Sequence, residues 1–307
     1  MKIVVLGAGA LGAYFGTRWS EAGHEVVNLV REGRAEQLRQ HGMKLHSEMG
    51  DYEMPGTPVI AESPDEIEEA DLVFLAVKGY HLFGTLEWLK ALVDKGAKVF
   101  PVLNGMEHIN ILQEELGEEA VLGGLSYIIA TLDDKGHVVH TSTFHDLVFG
   151  PLHPSQQQIC EELAFICKQA NMNAKLSTDI LEEMWKKYMF ITAFSGITAA
   201  VNQPIGKIRT YPQTFLIAKR MLEEMKELAN GHQISLTDEH VETAFKRLQN
   251  LNEEATSSMH QDRRKGLPLE VEHLHGGALR LGKEVHLQMP YTQTIHAMIK
   301  PYEEYRE

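Results

Sequence analysis

Glycines stand at positions 7, 9 and 12, directly behind the apolar run Ile3-Val4-Val5-Leu6. Gly7 permits a tight turn, Gly9 lets the backbone approach a phosphate, and Gly12 lets a following helix pack close to the strand. With Ala10 and Leu11 they spell G-A-G-A-L-G. A helix starting near Ala10 would aim its first N–H groups and positive dipole end at a pyrophosphate. A secretory leader would also set an apolar stretch behind Met1-Lys2, and a glycine turn can arise without a ligand. Arg18 and Glu21 interrupt the first alternative. A second strand, expected from Glu25 to Val30, favours dinucleotide binding over both.

That strand runs out as Asn28-Leu29-Val30-Arg31-Glu32-Gly33-Arg34. An acidic residue at its end usually holds the ribose 2′-OH of NAD, whereas a guanidinium can stack on adenine and bind a 2′-phosphate. Arg31, with Arg34 nearby, favours NADP(H). Glu32 is the competing acidic group, and both arginines also suit an ordinary charged loop. Lys78 and Asn104 each follow an apolar run, where a doubly wound sheet presents groups to its ligand. A surface lysine and a turn Asn-Gly are the plain alternatives.

Lys187 lies on a helical stripe with Ile180, Met184, Ile191 and Phe194. Its neighbour Lys186 has Glu182 four residues earlier, a solvated pair. Lys187 is therefore expected to face inward, as packing or as an ammonium whose lowered pKa suits proton donation. Glu270 follows Pro268 near a helix start and is expected to share a face with Leu274, Gly277 and Leu281; taken alone it is an ordinary first-turn glutamate. Ser257 and Ser258 suit a helix cap.

The elements that must position these groups divide the chain in two. Strands are expected over Asp71 to Val77 and Ala97 to Leu103, and helices over Tyr80 to Val93 and Glu107 to Leu116. A hairpin over Thr131 to Thr143 turns on Asp133-Asp134-Lys135-Gly136. Phe144 to Gly150 is a further strand, Gln156 to Ala170 a helix, and Asn173 to Leu176 the closing strand. From Ser177 onward the pattern is helical, near 212–231, 237–250, 269–283 and 291–304. The expected architecture is α/β: a doubly wound Rossmann domain over 1–177 and an all-helical domain over 178–307, with the active cleft between them.

Composition narrows the function classes. The 307 residues are 43% hydrophobic and 23% charged, as in a globular protein, and the net charge of −14 speaks against nucleic acid or an anionic membrane as partner. An acidic chain binding an anionic cofactor needs a local basic pocket, which the arginines supply. No apolar stretch is long enough to span a bilayer. Cys160 and Cys167, seven apart on a helical pattern, are expected as buried thiols of a cytoplasmic protein. Among 16 histidines no paired motif appears, and His273 and His275 split across a helix, so no metal site is expected.

In order, G-A-G-A-L-G at 7–12, Arg31, Lys78, Asn104-Gly105-Met106, Glu183-Met184-Trp185-Lys186-Lys187, Ser257-Ser258-Met259 with Gln261-Asp262, Glu270 leading to Gly276, and Pro290 resemble the ketopantoate reductase family over nearly the full length. The resemblance implies a Rossmann domain and a helical domain similar to that of 6-phosphogluconate dehydrogenase. It implies reduction of ketopantoate to pantoate with NADPH, on the route to pantothenate and coenzyme A. Lys187 would give a proton to the C2 carbonyl oxygen, and Glu270 would orient the substrate hydroxyl. Ser258 would hold the carboxylate, Asn104 and Lys78 would lie by the nicotinamide ribose and reacting centre, and Arg31 would take the 2′-phosphate. The family's asparagines after the lysine, near the following proline and after the late proline are replaced by Ile191, Ser195, Ile205 and Thr292. Three functions follow: a ketopantoate reductase, a reductase of a different and more apolar 2-keto acid, or an NADP(H) sensor without turnover. The helical half is compatible with a monomer or a homodimer.

Overall fold

A computed structural model describes residues 1–303. The chain forms two compact units, the first from Met1–Leu103 and His108–Ile180, the second from Asn104–Glu107 and Leu181 onward.

The first unit begins with β1 (Lys2–Leu6), α1 (Ala10–Glu21), β2 (Glu25–Leu29), α2 (Glu32–His41), β3 (Lys44–Ser47), β4 (Tyr52–Glu53), β5 (Ile60–Ala61) and β6 (Leu72–Leu75). It continues through α3 (Leu86–Val93), β7 (Lys98–Pro101), α4 (Glu107–Leu116), β8 (Gly123–Leu132), β9 (Val138–Gly150), α5 (Gln157–Gln169) and β10 (Asn173–Leu176). One sheet is wholly parallel in the order β5-β2-β1-β6-β7. The chain leaves β1 for β2 on one side and returns to β6 on the other, so the loop after β1 sits at the topological switch point. Residues 3–6 and 72–75 are buried without alternation, as strands covered on both faces must be. Phe15 and Trp19 of α1 meet Phe74 of β6 at 5.9 and 5.1 Å, and Phe74 meets Phe100 of β7 at 5.3 Å.

A second sheet joins β10, β9, β3 and β4, with β8 antiparallel to β9. The hairpin expected over 131–143 is present, but its returning arm and the separate strand expected over 144–150 are one 13-residue strand, β9. It crosses a bulge opposite Ile128 and Ala130 because Ser142 satisfies the disturbed backbone. Its Oγ accepts from Ile129 N at 3.0 Å and donates to Phe144 O at 2.6 Å. The helix expected from Tyr80 starts only at Leu86. Two 3₁₀ turns precede it, Gly79–His81 and Phe83–Thr85, with Gly84 weakening the helix and Thr85 Oγ1 donating back to Leu82 O at 2.6 Å. Cys160 and Cys167 are buried free thiols, pushed up to about 12 and about 11 by burial, hence unreactive.

The second unit is helical. The 22-residue α6 (Ile180–Val201) is followed by α7 (Ile205–Arg209), α8 (Pro212–Gly231), α9 (Asp238–Asn250) and α10 (Ser258–Arg264). A π-helical turn over Glu272–Gly276 runs into α11 (Gly277–Glu284), and α12 (Pro290–Ile299) ends the regular structure. Within the unit, α8 packs on α9, α11 and α12. Among the described residues no helix is long and apolar enough to cross a membrane.

Two buried histidines of β9 carry a pH prediction. His145 Nδ1 lies 2.6 Å from Tyr14 Oη, and His140 bonds Ser47 and Ser142 at 2.8 Å each. Burial, with the Arg18 charge adding to it, holds both imidazoles below the usual histidine range. An unfolded chain protonates them near pH 6.5, so stability is intact above that pH and is lost as pH falls through it. Each contributes a slope of up to about 1.4 kcal/mol per pH unit. Urea midpoints between pH 8 and pH 5 should fall less steeply for His145→Gln than for the parent; identical slopes would remove His145 from the account.

Candidate active site

The first unit holds the glycine turn. Gly7 has φ +96°, and a Cβ there would meet Val77 Cγ1 at 2.7 Å; a Cβ on Gly12 would lie 2.2 Å from Gly7 O. Gly9 differs, since a Cβ there would meet nothing within 4 Å. The space before Gly9 and the first turn of α1 is open, and no side chain caps that helix. This fits a pyrophosphate held by the N–H groups that follow Gly9, including those of Ala10, Leu11 and Gly12.

The two arginines after β2 separate by role. Arg34 is half-buried: its Nε donates to Ala8 O at 2.8 Å and its Nη2 to Gly136 O at 3.0 Å, so it braces the glycine loop. Arg31 is exposed at the N-terminal boundary of α2, with its guanidinium beside Gly84. Glu32 is exposed in the first turn of α2. Lys78 follows Ala76-Val77, the segment packed on Gly7, and is half-buried.

The second unit holds the other candidates. Lys186 pairs with Glu182 at the surface of α6, and Lys187 is turned inward, 9% exposed. Burial pushes the Lys187 ammonium down to about 8, against the opposing pull of Glu270. Two buried groups on or against the same helix are kept neutral. Burial raises the Tyr188 hydroxyl well above its usual value, and it donates to Leu274 O at 2.6 Å. Burial takes His275 down to about 4, and its Nε2 donates to Thr192 O at 3.0 Å.

Glu270 lies just before the helical turn, its carbonyl accepting from Leu274 N at 2.9 Å. The regular spacing expected from Glu270 to Gly277 and Leu281 is interrupted by the π turn. Its carbonyls find side-chain partners: Tyr188 on Leu274 O, and Arg280 Nη2 on Glu272 O at 2.9 Å. Arg280 also grips Glu107 with two bonds of 2.6 and 2.8 Å and Glu272 with one of 3.0 Å. Glu272 is further bonded by His296 at 2.8 Å and Lys300 at 2.7 Å. These three partners outweigh the burial that would raise it and hold its carboxyl down to about 2.

The Arg280 fork fixes the segment Asn104–Glu107. The His273 ring bonds the Asn104 backbone and feels the Glu270 charge, so Lys187, Glu270, His273 and Asn104 form one cluster. His273 was weighed in the sequence only as a metal ligand; its place three residues after Glu270 was the available signal. Ser257 caps α10, accepting from His260 N at 3.1 Å and bonding Thr198 at 3.0 Å. Ser258, the next residue, is exposed. Thr198 follows Lys187 by eleven residues, close to three full turns, so both project to one side of α6.

Residues 3–154 match the family described as Ketopantoate reductase PanE/ApbA, and residues 179–303 match Ketopantoate reductase PanE/ApbA C terminal. The chain is 32% identical over 303 residues to an uncharacterized oxidoreductase, YkpB, of Bacillus subtilis, with 99% of each covered. Its fold is similar to the crystal structure of a 2-dehydropantoate 2-reductase from Geobacter metallireducens, with TM-score 0.90, 25% identity, and 98% of this chain and 99% of that one covered. It is also similar in fold to a D-mandelate dehydrogenase solved with NADH and anilino(oxo)acetate, with TM-score 0.89, 21% identity, and 99% and 98% covered.

A buried ammonium weakens the fold that holds it. Depressing a lysine from 10.5 to about 8 corresponds to about 3 kcal/mol against its charged form. We expect Lys187→Met to be at least as stable as the parent at pH 7 in urea unfolding, because the cost of burying the ammonium outweighs the attraction of Glu270. A loss of stability would mean that the Lys187–Glu270 pair supports the fold.

Proposed function

The chain belongs to the ketopantoate reductase PanE/ApbA family, and we propose that it is an NADPH-dependent reductase of a small 2-keto acid, with 2-dehydropantoate the foremost substrate. The observation that carries this reading is a buried lysine, depressed to about 8 and electrostatically coupled to Glu270. The cofactor supplies the hydride that the keto carbon receives. Lys187 gives its proton to the carbonyl oxygen, and its charge stabilises the developing alkoxide. Glu270 keeps Lys187 protonated and accepts a hydrogen bond from the substrate hydroxyl. Ser258, at the start of α10, holds the carboxylate. Asn104 and Lys78, which follows β6, are read as groups for the substrate and the nicotinamide ribose. The turn from Gly7 to Gly12 holds the pyrophosphate, and Arg31 the 2′-phosphate. The product pantoate would feed pantothenate and coenzyme A synthesis.

One observation favours a second substrate class. Ile191, one turn after Lys187, is apolar where the family resemblance leads one to expect an amide. A 2-keto acid with an apolar acyl group would lose less there than a polyhydroxylated one. Retention of Lys187 beside Glu270 weighs against an NADP(H) sensor without turnover, which needs neither.

The pH dependence has a fixed sign. Reduction needs protonated Lys187, so kcat/KM for reduction should fall as pH rises through about 8, while the reverse oxidation rises over the same range. A reduction rate flat from pH 6 to pH 10 would sink the proton-donor role. Lys187→Ala should lower kcat by at least 100-fold (on the order of general-acid contributions) with NADPH affinity nearly unchanged. In fluorescence titrations, Arg31→Ala should weaken NADPH about ten-fold or more and leave NADH little altered; equal losses would remove the 2′-phosphate assignment.

A further inference from the structure

We propose that His46, Asp133 and His137 of the first unit form a binding site for a single divalent transition-metal ion, zinc foremost. One ligand atom from each lies within 4.8 Å of those of the other two. The three come from two places in the sequence. His46 is on β3, and Asp133 and His137 flank the turn between β8 and β9. In the parallel ladder His46 pairs with Val139, so His137, two residues earlier, falls on the same side of the sheet.

The geometry of the pair in the turn suits an ion better than a direct bond. His137 Nδ1 and Asp133 Oδ2 are 3.4 Å apart. That is outside the usual 2.7–3.2 Å of an N–H···O bond. It matches the separation of about 3.3–3.4 Å between two donors around a tetrahedral ion bound at 2.0–2.1 Å. His46 is exposed, and a side-chain rotation can complete a third position. Water would fill a fourth.

Each ligand in the turn is oriented from behind. Asp133 Oδ1 accepts from the backbone of Lys135 at 2.9 Å and of His137 at 2.8 Å, which leaves Oδ2 turned to the imidazole. His137 Nε2 donates to His41 O at 3.2 Å, which leaves Nδ1 turned toward Asp133. This is the outer-shell arrangement that fixes the tautomer of a metal-bound histidine. Glu53, on the adjoining β4, is paired with Lys44 at 2.7 Å and lies close enough to feel His137 and His46. Two imidazoles and a carboxylate suit zinc and the neighbouring late first-row ions rather than calcium or magnesium.

The turn is also mechanically placed. Gly136 O, inside it, is held by Arg34, whose other donor holds Ala8 O in the glycine loop. An ion joining β3 to the turn would stiffen the support of that loop.

The test is calorimetric titration of the metal-stripped full chain with zinc chloride, repeated with cobalt(II) and read by its visible absorption. We expect one equivalent to bind, the intense absorption of four-coordinate cobalt, and a rise in melting temperature with zinc. His46→Gln and Asp133→Asn should each weaken zinc at least ten-fold and abolish the thermal shift. Both side chains are exposed, and an asparagine Oδ1 can accept the same two backbone bonds, so circular dichroism should show intact folds. His153→Gln, a histidine before α5, should bind zinc as the parent does. No zinc binding, or binding equally strong in His46→Gln and Asp133→Asn, would overturn the site; the second result would mark adventitious capture by surface histidines.

Discussion

A primary ammonium on the inner side of a long apolar helix is the constraint around which the second unit is arranged. Removing such a charge from water costs several kcal/mol unless a partner of opposite sign is held nearby. Lys187 is 9% exposed, and its partner Glu270 comes from a segment far along the chain. A partner on a loose loop would lose the advantage to entropy, so the segment carrying Glu270 has to be rigid. The bonds from Tyr188, His275 and Arg280 supply that rigidity, two of them from α6 or to it. Tyr188 and His275 stay neutral, so neither adds a charge beside the pair. The π turn follows from the same demand: its carbonyls are directed at these side chains instead of along the helix.

The first unit solves a different problem, bringing backbone close to backbone. Gly12 stands where any side chain would strike Gly7 O, and Gly7 adopts a conformation that other residues avoid. The loop between them is braced from outside by Arg34, which is bonded to Ala8 and to the β8–β9 turn. That bracing removes Arg34 from ligand binding and leaves Arg31 exposed. Two arginines three residues apart thus differ in surroundings because one lies over the turn and the other at the boundary of α2.

Features set by local periodicity were legible in the sequence. The inward turn of Lys187 followed from a 3.6-residue stripe and from the Glu182–Lys186 pairing, both local, and the structure shows both. The strand, glycine turn and helix at the N-terminus, and α4, α8 and α9, were readable for the same reason. What escaped depended on contacts distant in sequence. The length of β9 rests on Ser142 repairing a bulge, and the π turn on Tyr188 and Arg280 reaching its carbonyls. His273 joins the cluster only because Arg280 holds Glu107 and with it Asn104. The convergence of His46 with Asp133 and His137 depends on a parallel pairing of β3 with β9, which no motif spacing announces.

The replaced asparagines divide by what their successors do. Thr292 is fully buried, and its N–H and hydroxyl both donate to Glu224, at 2.8 and 2.7 Å, closing the start of α12. Ile205 is fully buried at the start of α7, its N–H donating to Ala255 O at 3.0 Å. Both positions stand at helix starts: the Thr292 hydroxyl is already committed to Glu224, and the Ile205 side chain is packed in the core. Ile191 and Ser195 are different, because they continue along α6 from Lys187, one half-buried and the other buried. On the proposed reading, with a methyl-bearing side chain and a short hydroxyl beside the lysine in place of two amides, polar recognition of a keto acid would fall to Asn104, in the segment that Arg280 holds through Glu107, and to Ser258, next to the Ser257–Thr198 bond. On that reading such a site would keep the chemistry of carbonyl reduction in the Lys187–Glu270 pair while its acyl side is free to change, so reaction type and substrate identity would rest on separate residues.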